Sequence, residues 1–394
     1  MKQLFTLIVA LIVYGSLYPW HFRFAGGPAD PLAVLLDSWP TVWDRFELRD
    51  AIVNLLLYLP LGAAAIWAMP RRVPRAVGAA AGLLGGMALS IGMELTQVYV
   101  PGRVCSLFDV LCNTAGAAAG IALALTYHPA RAGGPQRAAI PAGAAIPAGT
   151  AIPAGPALIL ALFAGYQLYP FFPVISQTRV LHGVERLWGA EGFPLHEVWC
   201  CGAEWLAALV ALGVVLDAAA SGRARRWLPT LAVLCLPLRM TIPDRTLALD
   251  EVLGAVLGWL AWTLLRPRIR LRAAVWALGA AIILRELAPF HLASPPSAFQ
   301  WIPFVPTFVS ERQSALVILA RKAFEYGAMA WLLRAGGVSW ARAGAAVAGA
   351  LAVLEVVQRW LPGRTPETTD AVLALSLTLI LWSLDNSQRR RGLA

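Results

Sequence analysis

The sequence carries little charge for its length. Asp, Glu, Lys and Arg make up 14% of the 394 residues, whereas about a quarter of an ordinary soluble domain is charged. Hydrophobic residues account for 59% of the chain, and the mean hydropathy is +0.65. Too few polar side chains remain to cover two or three soluble domains. The composition therefore excludes a soluble enzyme, a disordered protein and a coiled coil, and it favours a polytopic membrane protein.

Motifs that mark metal or catalytic centres are also missing. The five cysteines have no CxxC spacing and lie in or beside apolar runs, which favours small core residues over a disulfide framework. The five histidines are scattered, and the sequence has no HxxxH, HExxH, Walker loop, GxSxG or Rossmann fingerprint. We therefore predict neither a metal site nor a cofactor.

Apolar runs fill most of the chain. A bilayer core requires about 20 apolar helical residues, with roughly 17 as the usual lower limit. The sequence therefore predicts an all-α polytopic membrane protein with about 12 transmembrane helices. The predicted spans are residues 4–18, 51–69, 76–98, 110–125, 157–174, 198–216, 227–242, 252–265, 273–287, 316–333, 343–357 and 371–384.

The basic residues obey the positive-inside rule when the N-terminus is placed in the cytoplasm. The segments that then face the cytoplasm hold 18 of the 32 basic residues and two acidic ones, Asp217 and Asp385, for a net charge of +16. The rest of the chain carries −6, so the overall charge of +10 is unevenly distributed. We predict a multi-pass membrane protein with both termini cytoplasmic. Its basic loops face anionic membrane lipids rather than nucleic acid.

Repeated segments predict the domain organisation. Ala139-Ile-Pro-Ala-Gly recurs every six residues, which is typical of a low-complexity linker, here residues 131–155 in the cytoplasm. The segment Glu94-Leu-Thr-Gln-Val-Tyr-Val-Pro-Gly-Arg103 reappears as Glu355-Val-Val-Gln-Arg-Trp-Leu-Pro-Gly-Arg364, and a degraded copy lies at 243–250. We predict three four-helix units, residues 1–130, 156–268 and 272–386, followed by a basic cytoplasmic tail at 387–394.

Polar residues stand in register on the spans of the first predicted unit. Ionisable groups are costly inside a membrane and often mark functional sites. Those of the second span are four residues apart and share a face, and those of the third and fourth spans flank a loop that contains an arginine. By the predicted topology they gather near the outer membrane surface. The candidate ligand-binding residues are Asp50, Asn54, Tyr58, Glu94, Gln97, Arg103, Asp109 and Asn113.

Structural roles are the alternative for several of these residues. Asn54, Gln97 and Asn113 are able to cross-link helices by hydrogen bonds, and Glu94 is able to form a salt bridge with Arg103.

Two glycines continue the fourth-span face below the polar residues. Gly116 and Gly120 form a stripe of small residues that permits close helix packing. We expect this stripe to bring the polar residues of the fourth span against those of the third.

The later predicted units keep fewer polar residues. The second unit is predicted to be scaffold, and the third has Ala374 where the first has Asn113. The second-site candidates in the third unit are Glu355, Gln358, Arg364 and Asp370. Other charged residues that look buried in apolar runs are Glu204, Arg285, Glu286 and Glu325.

The first unit, about residues 1–127, resembles the VanZ-like family of bacterial membrane proteins. The resemblance rests on Asp50-x3-Asn54-x3-Tyr58-x-Pro60-Leu-Gly62, Glu94-x2-Gln97 and Arg103-x5-Asp109-x3-Asn113-x2-Gly116-x3-Gly120. It implies a four-span membrane domain, in agreement with the predicted spans. The named member of the family is associated with low-level resistance to the glycopeptide antibiotic teicoplanin.

Binding of an envelope component is our leading functional hypothesis. The ligand is expected to be anionic or lipid-linked and to lie at the outer leaflet, where Arg103 would contact phosphate or carboxylate and Asp50, Glu94 and Asp109 would orient polar groups. Membrane lipids, and a lipid-linked envelope precursor, are the expected partners. A membrane-embedded enzyme acting on a lipid-linked substrate and a small-molecule transporter are the alternatives. The sequence leaves catalysis and the oligomeric state open.

Overall fold

Helices are the main secondary structure of the described residues. A computed structural model describes residues 2–17, 20–25, 27–40, 45–70, 72–126, 152–169, 195–219, 229–230, 232–233, 236, 239, 242, 247–304 and 312–392. Within these ranges there is no strand, and the one isolated β-bridge pairs Gln300 with Glu367. The chain divides into two compact units, which we call the N-terminal unit (Met1–Pro129) and the C-terminal unit (Ala130–Ala394).

The N-terminal unit contains helices at its four predicted spans and one additional short helix. The short helix begins at Pro31 because the Asp30 carboxylate accepts hydrogen bonds from the backbone N–H groups of Leu32 and Ala33, at 3.0 and 3.1 Å. The helices are α1 (Lys2–Leu17), α2 (Pro31–Leu36), α3 (Arg45–Ala68), α4 (Arg75–Gln97) and α5 (Leu107–Thr126).

The C-terminal unit contains helices at seven of its eight predicted spans. They are α6 (Ala154–Leu168), α7 (Leu195–Ala219), α8 (Leu249–Leu264), α9 (Pro267–Leu287), α10 (Arg312–Ala335), α11 (Trp340–Gln358) and α12 (Thr369–Gly392). The remaining predicted span, residues 227–242, lies largely outside the described residues. Helix α12 continues to Gly392, so most of the predicted basic tail extends the last helix. The division of this unit into two four-helix repeats stays a prediction.

Five helices among the described residues are long and apolar enough to cross a membrane: Asp50–Ala68, Arg75–Gln97, Leu107–Leu125, Leu195–Ala218 and Trp340–Gln358. Two shorter apolar helices are Phe5–Leu17 and Ala154–Leu168. Large apolar side chains such as Leu57 on α3 and Val77 and Leu84 on α4 lie on the surface of the unit. This distribution fits helices that face lipid on one side.

Glycines let α3 and α5 pack with their backbones in contact. A Cβ atom at Gly116 would overlap the carbonyl oxygen of Leu55, and one at Gly120 would overlap that of Leu59. A Cβ atom at Gly62 would likewise overlap the backbone of α5. The small-residue stripe on α5 therefore faces α3, while the polar residues of α5 lie against those of α4 as we expected. Contact between α4 and α5 instead includes a polar hydrogen bond, described below.

We predict that Gly120→Ala destabilises the N-terminal unit by about 3 kcal/mol or more, because a rigid backbone carbonyl on α3 is unable to move aside. The exposed helical glycine Gly85 has no atom within 4 Å of an added Cβ and provides the matched control. Gly85→Ala should be neutral or slightly stabilising. Thermal unfolding of the purified variants measures both effects. Equal melting temperatures for the two variants would contradict direct contact between the α3 and α5 backbones.

Candidate functional site

The turn between α4 and α5 is held by a buried carboxylate. Glu94 is 4% exposed, and its Oε2 atom accepts a hydrogen bond from the backbone N–H of Ser106 at 2.9 Å. The Ser106 hydroxyl in turn accepts from the backbone N–H of Asp109 at 3.2 Å, which caps the start of α5. Asp109 and Arg103 are electrostatic neighbours of Glu94. Three of the predicted site residues therefore meet where α4 ends and α5 begins.

Arg103 and a further predicted residue, Gln97, hold the end of α1. Gln97 donates from Nε2 to the carbonyl oxygen of Ser16 at 2.9 Å, and Arg103 donates from Nη2 to that of Gly15 at 2.7 Å. Because α1 ends at Leu17, both carbonyls belong to the last turn, whose C=O groups lack partners within the helix. A cation at this end also interacts favourably with the helix dipole. Gln97 thus cross-links helices, which was the structural alternative for this residue.

Two buried polar atoms next to this turn lack a regular hydrogen bond. Asn113, 5% exposed, donates from Nδ2 to the Ser90 hydroxyl at 2.9 Å, but its Oδ1 atom has no hydrogen-bond partner. Tyr58 is 1% exposed, and its hydroxyl forms no hydrogen bond of regular geometry, although the Ser90 hydroxyl lies close enough to interact with it and Glu94 is a further polar neighbour. A buried polar atom without a partner costs about 1–3 kcal/mol. We call Tyr58, Ser90, Glu94, Asp109 and Asn113 the N-terminal polar cluster.

The remaining two predicted residues lie further along α3. Asp50 is exposed and Asn54 is half-buried, at successive steps of four residues before Tyr58. Each step advances about 6 Å along the helix. Both residues therefore extend the Tyr58 face of α3 towards its N-terminal end.

Two serines of the site were not predicted from the sequence. Ser90 lies four residues before Glu94 and thus shares its face of α4, and Ser106 stands three residues before Asp109 in the spacing of a helix N-cap. Both signals were present in the sequence. Serine is too common in loops and helices for either signal to stand out.

The second-site candidates form matching hydrogen bonds in the C-terminal unit. Glu355 accepts from the backbone N–H twelve residues ahead, that of Glu367, at 2.7 Å, as Glu94 does in the N-terminal unit. Gln358 donates to the carbonyl oxygen of Glu286 at 3.1 Å, and Arg364 donates to that of Arg285. These two carbonyls lie in the last turn of α9, as their counterparts lie in the last turn of α1.

The backbone matches as well. The residues that follow the prolines after α1 and α9, Trp20 and Phe290, both adopt positive φ angles, of 61° and 64°. Their N–H groups donate to the corresponding carbonyls of Leu17 and Leu287, at 2.8 and 3.0 Å. The glycines of the two Pro-Gly-Arg turns also share a positive φ, 82° for the first and 73° for the second.

A lysine completes the polar cluster of the C-terminal unit. Lys322 Nζ lies 2.7 Å from both carboxylate oxygens of Asp370, and the Tyr326 hydroxyl donates to the same carboxylate at 2.6 Å. Glu286 accepts from Gln358 Nε2 at 2.6 Å and lies 3.8 Å from Lys322 Nζ. The polar groups of this second cluster thus pair with one another.

The buried-looking charges of α7, α9 and α10 form an ionic network. Arg285 donates from Nη1 to both Glu204 and Glu325, and its Nη2 atom lies 3.4 Å from Glu197 Oε2. The side chains of Arg285, Glu204 and Glu325 are all buried. Their position in apolar runs predicted their burial. The structure adds that the Arg285 guanidinium binds the buried carboxylates of both Glu204 and Glu325.

The cysteine nearest the site is an inert thiol. Cys105 lies in the loop between α4 and α5, and it is buried and free. Burial, together with the negative charges of Glu94 and Asp109, raises the pKa of the Cys105 thiol to about 11. The thiol therefore stays protonated at neutral pH, which agrees with its predicted role as a small core residue.

We predict that Arg285→Ala lowers the free energy of unfolding by about 3–5 kcal/mol, because the buried carboxylates of Glu204 and Glu325 would lose the guanidinium that donates to both. Arg268→Ala removes an exposed arginine from the same helix and should change stability by less than about 0.5 kcal/mol. Chemical unfolding of both variants measures the difference. A similar small change in both would contradict the ionic network.

Comparison with known proteins relates the N-terminal unit to a family. Residues 4–128 match the family model VanZ-LLP1, described as VanZ/LLP1. Neither a curated protein nor a solved structure matches the chain. The matched residues contain the whole N-terminal polar cluster and the arginine and glutamine that hold α1. The N-terminal unit of this chain is therefore similar to the VanZ/LLP1 family over residues 4–128.

Proposed function

We propose that this protein binds the polar headgroup of an envelope lipid or lipid-linked precursor at the outer leaflet of the bacterial plasma membrane. Through that binding it modulates susceptibility to glycopeptides of the teicoplanin type. The observation that carries the proposal is the pair of buried atoms without a regular hydrogen bond, the Tyr58 hydroxyl and Asn113 Oδ1, beside Glu94. Because buried polar groups are almost always hydrogen-bonded, a site with two such atoms is suited to receive a polar ligand.

Aromatic side chains support a position near the membrane surface. Phe24 contacts Tyr99 with ring centroids 5.2 Å apart, and it stacks on Phe22 at 5.9 Å. Trp20, 45% exposed, adjoins Phe22 at 6.3 Å. These residues follow α1 and α4 at the end of the unit where Gln97 and Arg103 bind α1. Tryptophan and tyrosine favour the membrane–water interface, so this end of the unit is suited to headgroup depth.

The depth of the cluster fits a headgroup. Ser90 lies seven residues before the end of α4, and Asn113 lies six residues after the start of α5. At 1.5 Å per residue, both side chains stand about 10 Å below the ends of their helices. A lipid headgroup that enters between the helix ends reaches this level.

The charges of the site suit a ligand that carries both signs. Glu94 and Asp109 supply negative charge, and Arg103 lies beside Glu94 while it holds α1. Arg103 thus positions α1 and also offers a guanidinium to an anionic group at the rim of the cluster. A zwitterionic headgroup satisfies these charges better than a purely anionic ligand.

The proposal includes twelve spans with both termini cytoplasmic, as the distribution of arginine predicts. It also includes a third unit, residues 272–386, that repeats the family unit. The matching hydrogen bonds of Glu94 and Glu355, and the positive φ angles of Trp20 and Phe290, support that repeat.

We predict that Tyr58→Phe abolishes function while it leaves the fold intact. The hydroxyl forms no hydrogen bond of regular geometry in the protein, so its removal should leave the melting temperature unchanged or slightly higher. Teicoplanin susceptibility of the native host should shift to that of cells that lack the protein. Tyr14→Phe, which alters a half-buried tyrosine of α1 outside the cluster, is the matched control and should behave as the unaltered protein. Unchanged susceptibility with normal amounts of the Tyr58→Phe protein would contradict the proposal.

A further inference from the structure

A pocket opens in the N-terminal unit beside the last turn of α4. It has a volume of about 420 Å³ and is lined by Phe24 and Tyr99, by Asp30 and Thr96, and by apolar side chains of α2 and α4. Sites for small ligands usually measure about 300–1,000 Å³ and combine apolar walls with a few polar groups. Thr96 follows Glu94 by two residues, so the pocket and the N-terminal polar cluster meet the same turn of α4.

Two aromatic rings form one wall of this pocket. The rings of Phe24 and Tyr99 have centroids 5.2 Å apart and are tilted by 44° to one another, so they form a corner rather than a flat stack. Phe24 is 69% exposed, and Tyr99 is half-buried. Since both rings line the pocket, they offer aromatic surface to a ligand.

Backbone contacts hold the aromatic wall in place. The N–H of Arg23 donates to the carbonyl oxygen of Tyr99 at 2.8 Å, which joins the segment after α1 to the end of α4. The N–H of Gly27 donates to the carbonyl oxygen of Phe24 at 3.2 Å. A Cβ atom at Gly27 would lie 2.9 Å from the Tyr99 ring, so this ring packs directly on the glycine backbone. A wall that is already ordered reduces the cost of binding a ligand.

A carboxylate supplies the charge of the pocket. Asp30 is exposed, and its Oδ1 atom accepts from the backbone N–H groups of Leu32 and Ala33, which fixes the orientation of the side chain. A carboxylate has about four acceptor positions, so these two bonds leave it able to accept from a ligand. The lining residues that the structure describes include no lysine or arginine. The pocket is therefore better suited to a group with hydroxyl donors than to a phosphate.

We propose that this pocket binds the sugar ring of a glycosylated envelope lipid. A pyranose ring has C–H groups on its faces and hydroxyl groups around its edge. The faces pack on the rings of Phe24 and Tyr99, and a hydroxyl donates to the carboxylate of Asp30. An acyl chain would leave that carboxylate without a donor. The inference rests on the proposed headgroup binding and names the class of lipid, one that carries a sugar.

The test titrates the full-length protein with lipids of identical acyl chains and measures binding by native mass spectrometry. The protein is purified in a polyoxyethylene detergent, because maltoside and glucoside detergents carry the group under test. The lipids are diacylglycerols with a glucose or an N-acetylglucosamine headgroup, plain diacylglycerol, phosphatidylglycerol and phosphatidylcholine. We expect at least one sugar lipid to bind at least about tenfold more tightly than the three lipids without a sugar.

Two substitutions locate the sugar. Phe24→Leu removes an exposed ring and should weaken binding of the sugar lipid at least about fivefold. Asp30→Asn keeps a residue that caps α2 equally well, but it removes the charged acceptor and should weaken binding at least about threefold. Trp276→Leu alters an exposed aromatic residue of α9 and is the matched control, which should bind as the unaltered protein does. Melting temperatures of all three variants verify folding.

The outcomes separate the sugar pocket from headgroup binding in general. Equal binding of the sugar lipids and diacylglycerol, or a preference that survives both pocket substitutions, overturns the sugar pocket and leaves the proposed function standing. Tightest binding of phosphatidylcholine, lost in Asp30→Asn, overturns the sugar in favour of a cation held by the aromatic rings. Full competition by the methyl glycosides at equal concentration supports the sugar pocket and overturns the lipid as its source. Binding of none of the lipids, with unchanged antibiotic susceptibility of Tyr58→Phe cells, overturns both proposals.

Discussion

The need to pair buried polar groups shapes both units of this protein. In each unit a glutamate near the end of one helix accepts a hydrogen bond from a backbone N–H group close to the start of the next helix. The glutamate is Glu94 in the N-terminal unit and Glu355 in the C-terminal unit. A glutamine one turn further and an arginine in the turn satisfy the last carbonyls of another helix. Unpaired groups are especially costly in an apolar surrounding, so these bonds fix how three helix ends meet. The arrangement leaves a polar interior at one end of each set of helices.

Close packing then determines what that interior contains. The glycines of α5 allow this helix to pack directly against the α3 backbone, and Tyr58 of α3 is buried. In the C-terminal unit the corresponding interior is neutralised by Lys322, and Tyr326 is paired. In the N-terminal unit Asn54 lies four residues before Tyr58, as Lys322 lies before Tyr326, and two polar atoms form no regular hydrogen bond. One backbone framework thus supports two polar clusters whose hydrogen bonds differ.

Sequence reasoning located the helices and named residues that the structure brings together where α4 meets α5. The structure has helices at eleven of the twelve spans that hydropathy predicted. Apolar runs of this length rarely form any other secondary structure. Helical spacing correctly grouped Glu94 with Gln97 and Asp109 with Asn113. The sequence does not predict the partners of Gln97 and Arg103, because both bind backbone carbonyl groups and every residue has one. The glycine stripe predicted close packing but not which helix lies opposite, and the pairing of Lys322 with Asp370 required the tertiary structure.

The central claim is that a ligand completes the N-terminal polar cluster. The most direct measurement is an electron cryomicroscopy map of the full-length protein in lipid nanodiscs made from bacterial phospholipids, at a resolution that defines headgroups. We expect density for a headgroup beside Glu94 and within hydrogen-bond distance of Asn113 Oδ1. Tyr58 and Asn113 paired with other protein groups, with no headgroup density between α3, α4 and α5, would contradict the account.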